Sequence, residues 1–183
     1  TEITRKHLVL SIAAGKKLET IESALKIAKV VRVMPNLASL VGAGMNVFCA
    51  GKRVTVPDRK TVTMLLGCFG RVLELHESLF DAVTAVSGSG PAFFACFAEA
   101  MIEAGTKLGL NRADAALLVR QTMLGTARLM CDRKMETGDL INAVKSPKGT
   151  TAAGLAVLEK SDLSKIVQAT LQAAAERSRE LSA

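Results

Sequence analysis

The sequence contains no tryptophan and no tyrosine, and its 3% aromatic content comes from six phenylalanines. Base stacking on aromatic platforms, the usual companion of a basic patch in single-strand nucleic-acid binders, therefore has little material. Histidine is nearly as scarce. His7 and His76 stand apart from each other and from any Cys or Asp pair at ligand spacing, so no metal centre is expected. The four cysteines, Cys49, Cys68, Cys96 and Cys131, form no C-x-x-C pair, which argues against a zinc site and a disulfide frame. Apolar neighbours such as Phe94 and Phe97 around Cys96 mark them as reduced core residues of an intracellular protein. No run of about 18 apolar residues is free of charge, and the amino terminus lacks a basic-then-apolar signal pattern. The expectation is a soluble, cytoplasmic location.

What is present bounds the answer further. With 183 residues, 49% of them hydrophobic, the chain can bury a sizeable core in one domain or one and a half. Lys plus Arg number 24 against 17 Asp plus Glu, a formal +7, but the basic residues are scattered in ones and twos. That pattern suits small anions better than a nucleic-acid arm. The chain opens abruptly: Thr1-Glu2-Ile3-Thr4 lacks an initiator Met and leads within a few residues into a buried-looking strand, as though a preceding part were missing.

From His7 to Ile12 the sequence HLVLSI is a short apolar run, the signature of a strand covered on both faces. Lys16 to Ala28 repeats apolar residues at helical spacing, and Lys29 to Met34 is β-branched again, so the segment reads as a βαβ unit of a parallel sheet. Both strands then end on the same sheet edge, in Ala13-Ala14-Gly15 and in Met34-Pro35-Asn36, and ligands bind at the carboxyl ends of strands in open α/β sheets. Leu40 to Val56 offers one or two more strands, followed by a helix from about Arg59 to Gly70. A domain boundary falls between Leu79 and Ser87. Beyond it, Ser87-Gly88-Ser89-Gly90-Pro91 places a Pro at the first helical position of a helix reaching Leu108. Its charges, Glu99, Glu103 and Lys107, form one narrow stripe, so it needs cover nearly all round. Helices from about Arg112 to Cys131 and from Thr151 to Leu181 supply some of that cover. A second copy of the chain is expected to complete it.

The segment Lys145-Ser146-Pro147-Lys148-Gly149-Thr150-Thr151 stands at the entry to the last helix. Unpaired amides and the positive dipole end of a helix stabilise a carboxylate or phosphate there, Ser146 can add a donor, and Thr151 can reach a polar atom of the ligand beside its anionic group. A second reading is that Thr150 or Thr151 merely caps the helix. The Gly-rich stretches do not make a dinucleotide fingerprint, because the third Gly position falls on Val47 in one and on Phe93 in the other.

Four motifs in order, Ser11-Ile12-Ala13-Ala14-Gly15, Met34-Pro35-Asn36, Asp81 to Ala92 (DAVTAVSGSGPA) and Ser146-Pro147-Lys148-Gly149-Thr150-Thr151, resemble the pyrroline-5-carboxylate reductase family along essentially the whole chain. Members of that family begin with a strand and a G-x-G-x-x-G loop that this sequence does not contain. The resemblance implies a fold class of α/β, a remnant of a Rossmann-type domain over residues 1–80, followed by an all-α helical dimerisation and substrate-binding domain over residues 81–183. It also implies an interlocked homodimer or higher assembly, with the active site between the dinucleotide domain of one subunit and the helical domain of the other. The implied activity is reduction of 1-pyrroline-5-carboxylate to L-proline with NADPH or NADH, the last step of proline synthesis. Carried over by position, Ser146, Gly149 and Thr150 hold the substrate carboxylate, and Thr151 bonds the ring nitrogen as the catalytic residue. Ala13, Ala14, Gly15, Met34, Pro35 and Asn36 line the nicotinamide. Lys148 stands where the family usually has Gly, and Glu136 is matched to an acidic residue. Reducing a C=N bond needs positioning and a cofactor more than an acid–base dyad, which suits a chain without one. Two other readings compete: a non-catalytic dimerisation fragment of such an enzyme, and a basic helical nucleic-acid binder.

Overall fold

The computed structural model describes residues 3–182, which fall into two compact units. The first runs up to Ala92 and takes in the chain again from Gln168; the second is Phe93–Val167.

The first unit is built on a four-stranded sheet in the order β1 (Leu8–Ser11), β2 (Lys29–Met34), β3 (Gly44–Ala50) and β4 (Gly70–Glu74). Strands β1 and β2 are parallel, with Leu8 opposite Lys29 and Ser11 opposite Arg32, as the βαβ reading requires. The chain then reverses through a 3-10 turn, Leu37–Val41, so β3 is antiparallel to β2, and β4 is parallel to β3. The sheet is therefore mixed, and β4 is a strand that the sequence reading did not assign, since it ended the preceding helix at Gly70 and placed no element after it. Helix α1 (Leu18–Leu25) is shorter than the expected Lys16–Ala28. Helix α2 (Val56–Gly67) starts earlier than expected, because Thr55 and Asp58 form a reciprocal capping box with Pro57 in the first turn.

Strand β2 is the centre of this unit. Alternate residues point to opposite faces, so Val31 and Val33 pack with Phe48, Val54, Val62 and Leu66 under α2. Met34 joins Val47, Cys49 and Phe80 on the other cluster. Among the described residues, edge strand β1 has a neighbour on one side only and is half-buried along its length, not covered on both faces as its apolar run suggested. After β4 come a 3-10 turn (Glu77–Leu79), the short helix α3 (Phe80–Val83) and a π-helical turn (Thr84–Gly88).

Helix α4 (Gly90–Lys107) leads into the second unit, followed by α5 (Arg112–Asp132), α6 (Thr137–Val144) and α7 (Thr150–Lys160). Asn111 caps α5 by accepting from the Asp114 amide at 2.9 Å. Ile102 of α4 packs on Ala115 and Val119 of α5. The single last helix expected from Thr151 to Leu181 is in fact two, α7 and α8 (Leu163–Leu181). Ser161 breaks them: its extended backbone ends α7, and its hydroxyl donates to the Leu158 carbonyl at 2.7 Å while accepting from the Leu163 amide at 3.3 Å. Among the cysteines only Cys49 is buried; Cys68, Cys96 and Cys131 are exposed free thiols. The apolar stretches around them sit on outward-facing helical surface, which corrects the core reading.

Candidate substrate and cofactor site

In the second unit, Ser146-Pro147-Lys148-Gly149 is a tight turn closed by the Gly149 amide donating to the Ser146 carbonyl at 3.0 Å. Pro147 takes the second position and Lys148, at φ 57°, the third, the arrangement of a type II turn. That third corner favours Gly, so Lys148 keeps the backbone course that a Gly would give and adds a positive charge. Lys148 makes no ion pair among the described residues, whereas its neighbour Lys145 faces Glu159 at 4.0 Å.

Gly149 is the N-cap of α7, and no side chain caps that end. The first intrahelical bond runs from the Ala153 amide to the Gly149 carbonyl at 3.2 Å. The amides of Thr150, Thr151 and Ala152 precede it and have no intrahelical partner. Thr150 and Thr151 already lie inside the first turn, past the position from which a hydroxyl can cap, so the capping reading is overturned. The result is a positive helix end preceded by Ser146 and the exposed Lys148 and followed by the half-buried Thr151, a set of donors suited to a carboxylate with a polar neighbour. Glu136, at the N-cap of α6, is exposed and caps nothing.

In the first unit, the parallel register of β1 and β2 brings Ala13, Ala14 and Gly15 to the same sheet edge as Met34, Pro35 and Asn36. Gly15 is left-handed at φ 69°, and a Cβ there would overlap the carbonyl of Leu181, so only Gly lets the end of α8 lie against this turn. Asp81 secures that helix end: it accepts from the buried Ser178 hydroxyl at 2.7 Å and faces Arg179 at 3.8 Å. Ala13 and Ala14 are exposed with minimal side chains, which leaves the turn open to a flat ring. The Asn36 amide, in contrast, is spent within the chain: Nδ2 donates to the Ser87 carbonyl at 3.1 Å and Oδ1 accepts from the Met45 amide at 3.1 Å.

Sequence reasoning missed the polar group beneath these loops. Arg32, set among the valines of the β-branched strand, is buried and pairs with Glu77 at 2.7 Å, with its guanidinium 4.8 Å above the Phe80 ring. The same Glu77 oxygen accepts from the Leu18 amide at 2.6 Å and so closes the start of α1, which has no cap of its own. Cys49 lies in the adjoining cluster. Burial, reinforced by the Glu77 charge, pushes its thiol up to about 11, so it is no nucleophile at neutral pH.

Of the edge formed by residues 13–15 and 34–36, Ala13 and Ala14 are small and exposed, while Met34, Pro35 and Asn36 are half-buried. No glycine-rich turn in the sequence fits the pyrophosphate.

Comparison with known proteins bears on the whole chain. A family model described as pyrroline-5-carboxylate reductase dimerisation matches residues 77–181, more than half of the sequence. The chain belongs to the pyrroline-5-carboxylate reductase family. A pyrroline-5-carboxylate reductase of Synechocystis is 41% identical over 96% of this chain and 66% of its own length. The solved reductase of Coxiella burnetii superposes with a TM-score of 0.93 at 36% identity, over 96% of this chain and 66% of that one. A Plasmodium falciparum pyrroline carboxylate reductase, solved with NADP bound, gives 0.85 at 35% identity, over 96% of this chain and 71% of that one. The chain thus spans about two thirds of the length of these relatives. An α/β unit with a small mixed sheet, followed by a helical region matched to a dimerisation family, is the expected fold class.

Proposed function

We propose that this chain supplies the larger part of an NAD(P)H-dependent reductase that converts 1-pyrroline-5-carboxylate to L-proline, the last step of proline synthesis, in the cytoplasm. The observation that carries the reading is the 41% identity to such a reductase along 96% of the chain. The uncapped start of α7 agrees with it, because that helix end answers the chemistry of an α-carboxylate.

In this reading the substrate carboxylate lies on the amides of Thr150, Thr151 and Ala152, with the Ser146 hydroxyl as a further donor and Lys148 as a nearby positive charge. The hydroxyl of Thr151 bonds the ring nitrogen and fixes the ring's rotation about the carboxylate anchor. That bond steadies the protonated imine, whose proton solvent can supply, so no His or carboxylate base is required. NADPH or NADH, when bound, supplies the hydride. Ala13, Ala14, Gly15, Met34 and Pro35 present the open surface against which its nicotinamide end lies, and Asn36 belongs to the same loop.

Residues 1–80 act as the carboxyl-terminal part of a dinucleotide-binding domain and residues 81–183 as the substrate and dimerisation domain. Self-association follows from the exposed apolar surface of α4, where Phe94 and Phe97 are 66% and 50% exposed in the single chain. The helical run Glu77–Lys107 contains an 18-residue stretch with a mean hydropathy of 1.3 and so also has the length and composition of a membrane span. The dimerisation-family match over that same run favours a second copy as its cover.

The test is reductase activity with and without a preceding glycine-rich dinucleotide segment, taken from a relative. Activity with NADPH that appears only in the extended chain supports the proposal. Absence of activity in both, with each chain folded, favours the non-catalytic dimerisation fragment.

A further inference from the structure

Two sequence motifs with no stated connection, Met34-Pro35-Asn36 and Ser87-Gly88-Ser89-Gly90-Pro91, meet in the first unit at one hydrogen bond. The reason lies in Pro91. A helical carbonyl at Ser87 would accept from the amide four residues on, and Pro91 has none. The amide one residue further, Ala92, is given to the Ser89 carbonyl at 3.0 Å. The π-helical turn Thr84–Gly88, closed by the Ser89 amide on the Thr84 carbonyl at 2.8 Å, therefore leaves the Ser87 carbonyl without a helical donor. Asn36 Nδ2 supplies one at 3.1 Å. The two segments also touch where the Met34 methyl lies against Gly88, at which a Cβ would overlap it.

We propose that Asn36 is a positioning residue: without touching the cofactor, it holds the loop after β2 against the π-helical turn and so fixes the nicotinamide-facing surface. Resting on the reductase reading, this also gives the role of the Pro in the second motif. Its missing N–H frees a carbonyl for Asn36, so the orphaned acceptor in one motif and the donor in the other form a matched pair. The second bond, Met45 amide to Asn36 Oδ1, holds the same side chain from β3. An Asn has both a donor and an acceptor and can make both bonds; an Asp keeps only the acceptor.

The experiment is a double-mutant cycle of Asn36→Ala and Pro91→Ala, read by urea unfolding of the 183-residue chain and by kinetics of the extended, active enzyme. Asn36→Ala should raise the unfolding constant roughly ten-fold, and clearly less in the Pro91→Ala background, where the substituted residue offers the Ser87 carbonyl a helical amide. Asn36→Asp, which loses only the Ser87 bond, should be at least as damaging as Asn36→Ala. In the active enzyme Asn36→Ala should lower kcat about ten-fold or more with the KM for pyrroline-5-carboxylate within about two-fold, and Pro91→Ala should relieve the stability loss without restoring kcat, because a helical amide on Ser87 does not reattach the loop. Additive effects, or an Asn36→Asp variant indistinguishable from wild type, would overturn the clamp. An active enzyme whose kcat ignores Asn36→Ala would overturn its positioning role. A wild-type extended chain that is folded, shows the non-additive cycle and is inactive would instead overturn the reductase reading.

Discussion

Arg32 and Glu77 meet at 2.7 Å across the face of the sheet, and the Glu77 oxygen that receives the guanidinium also receives the Leu18 amide. One carboxylate thus neutralises a buried cation and closes the helix that follows the Ala13–Gly15 loop. Glu77→Ala removes both functions and leaves Arg32 uncompensated, so it should destabilise by about 2–4 kcal/mol. Glu77→Gln keeps an acceptor and should cost roughly 1 kcal/mol. Chemical denaturation measures both, and equal losses would show that the charge on Glu77 does nothing.

Lys148 holds a left-handed conformation at φ 57°. A β-branched side chain tolerates that region least, so Lys148→Val should cost roughly 1–2 kcal/mol, while Lys148→Gly should be near neutral in stability. If the ammonium assists carboxylate binding, Lys148→Gly should also raise KM for the substrate and leave kcat alone. A melting series and steady-state kinetics in the active enzyme check both halves.

Thr151 lies past the N-cap of α7, so its loss should leave the helix intact. Thr151→Ala should therefore move the Tm little while lowering kcat/KM by about ten- to a hundred-fold or more, the worth of roughly 1–3 kcal/mol in the transition state. Thr151→Ser should recover most of it. Ser146→Ala should act chiefly on KM, since a carboxylate contact is made in ground and transition states alike. Unchanged kcat/KM in Thr151→Ala would remove it from the site.

Asp58 accepts from Lys29 at 2.8 Å and from Thr55, and these bonds hold its carboxyl down at about 2, against an ordinary 3.8. A depressed folded-state value stabilises the fold above the unfolded-state value. That contribution is complete above about pH 5 and lost as the pH falls from about 4 towards 2. Unfolding midpoints for wild type should drop between about pH 5 and about pH 2.5, with a smaller drop in Asp58→Asn. Parallel profiles would show that Asp58 does not carry the acid response.

Folding and association should separate on α4. Ile102 is 4% exposed and packs on α5 of its own chain, so Ile102→Asp should unfold the protein. Ala98 is half-buried beside it and should behave similarly with a charge. Phe97 is 50% exposed, so Phe97→Asp should leave the chain folded and weaken self-association, read by sedimentation with circular dichroism alongside. A Phe97→Asp chain as tightly associated as wild type would place the interface elsewhere.

Local pattern in the sequence determined β2, whose β-branched run needs cover on both faces, and α5, expected from about Arg112 to Cys131 and found at Arg112–Asp132. It also determined the parallel start of the sheet and the two loops at its carboxyl edge, since a helix between two paired strands carries the chain back so that both run the same way. Short-range chemistry alone misled at Ser161: the apolar spacing runs on past a residue whose hydroxyl splits one expected helix into α7 and α8. The partners of Arg32, Asn36 and Gly15 lie far along the chain, at Glu77, Ser87 and Leu181. Sequence shows that a buried charge, an amide beside a Pro and a lone Gly each call for something, because desolvation and sterics make them costly unpaired. Which residue answers is decided only when the sheet brings distant segments together, and that choice left Asn36 inside the scaffold of its loop.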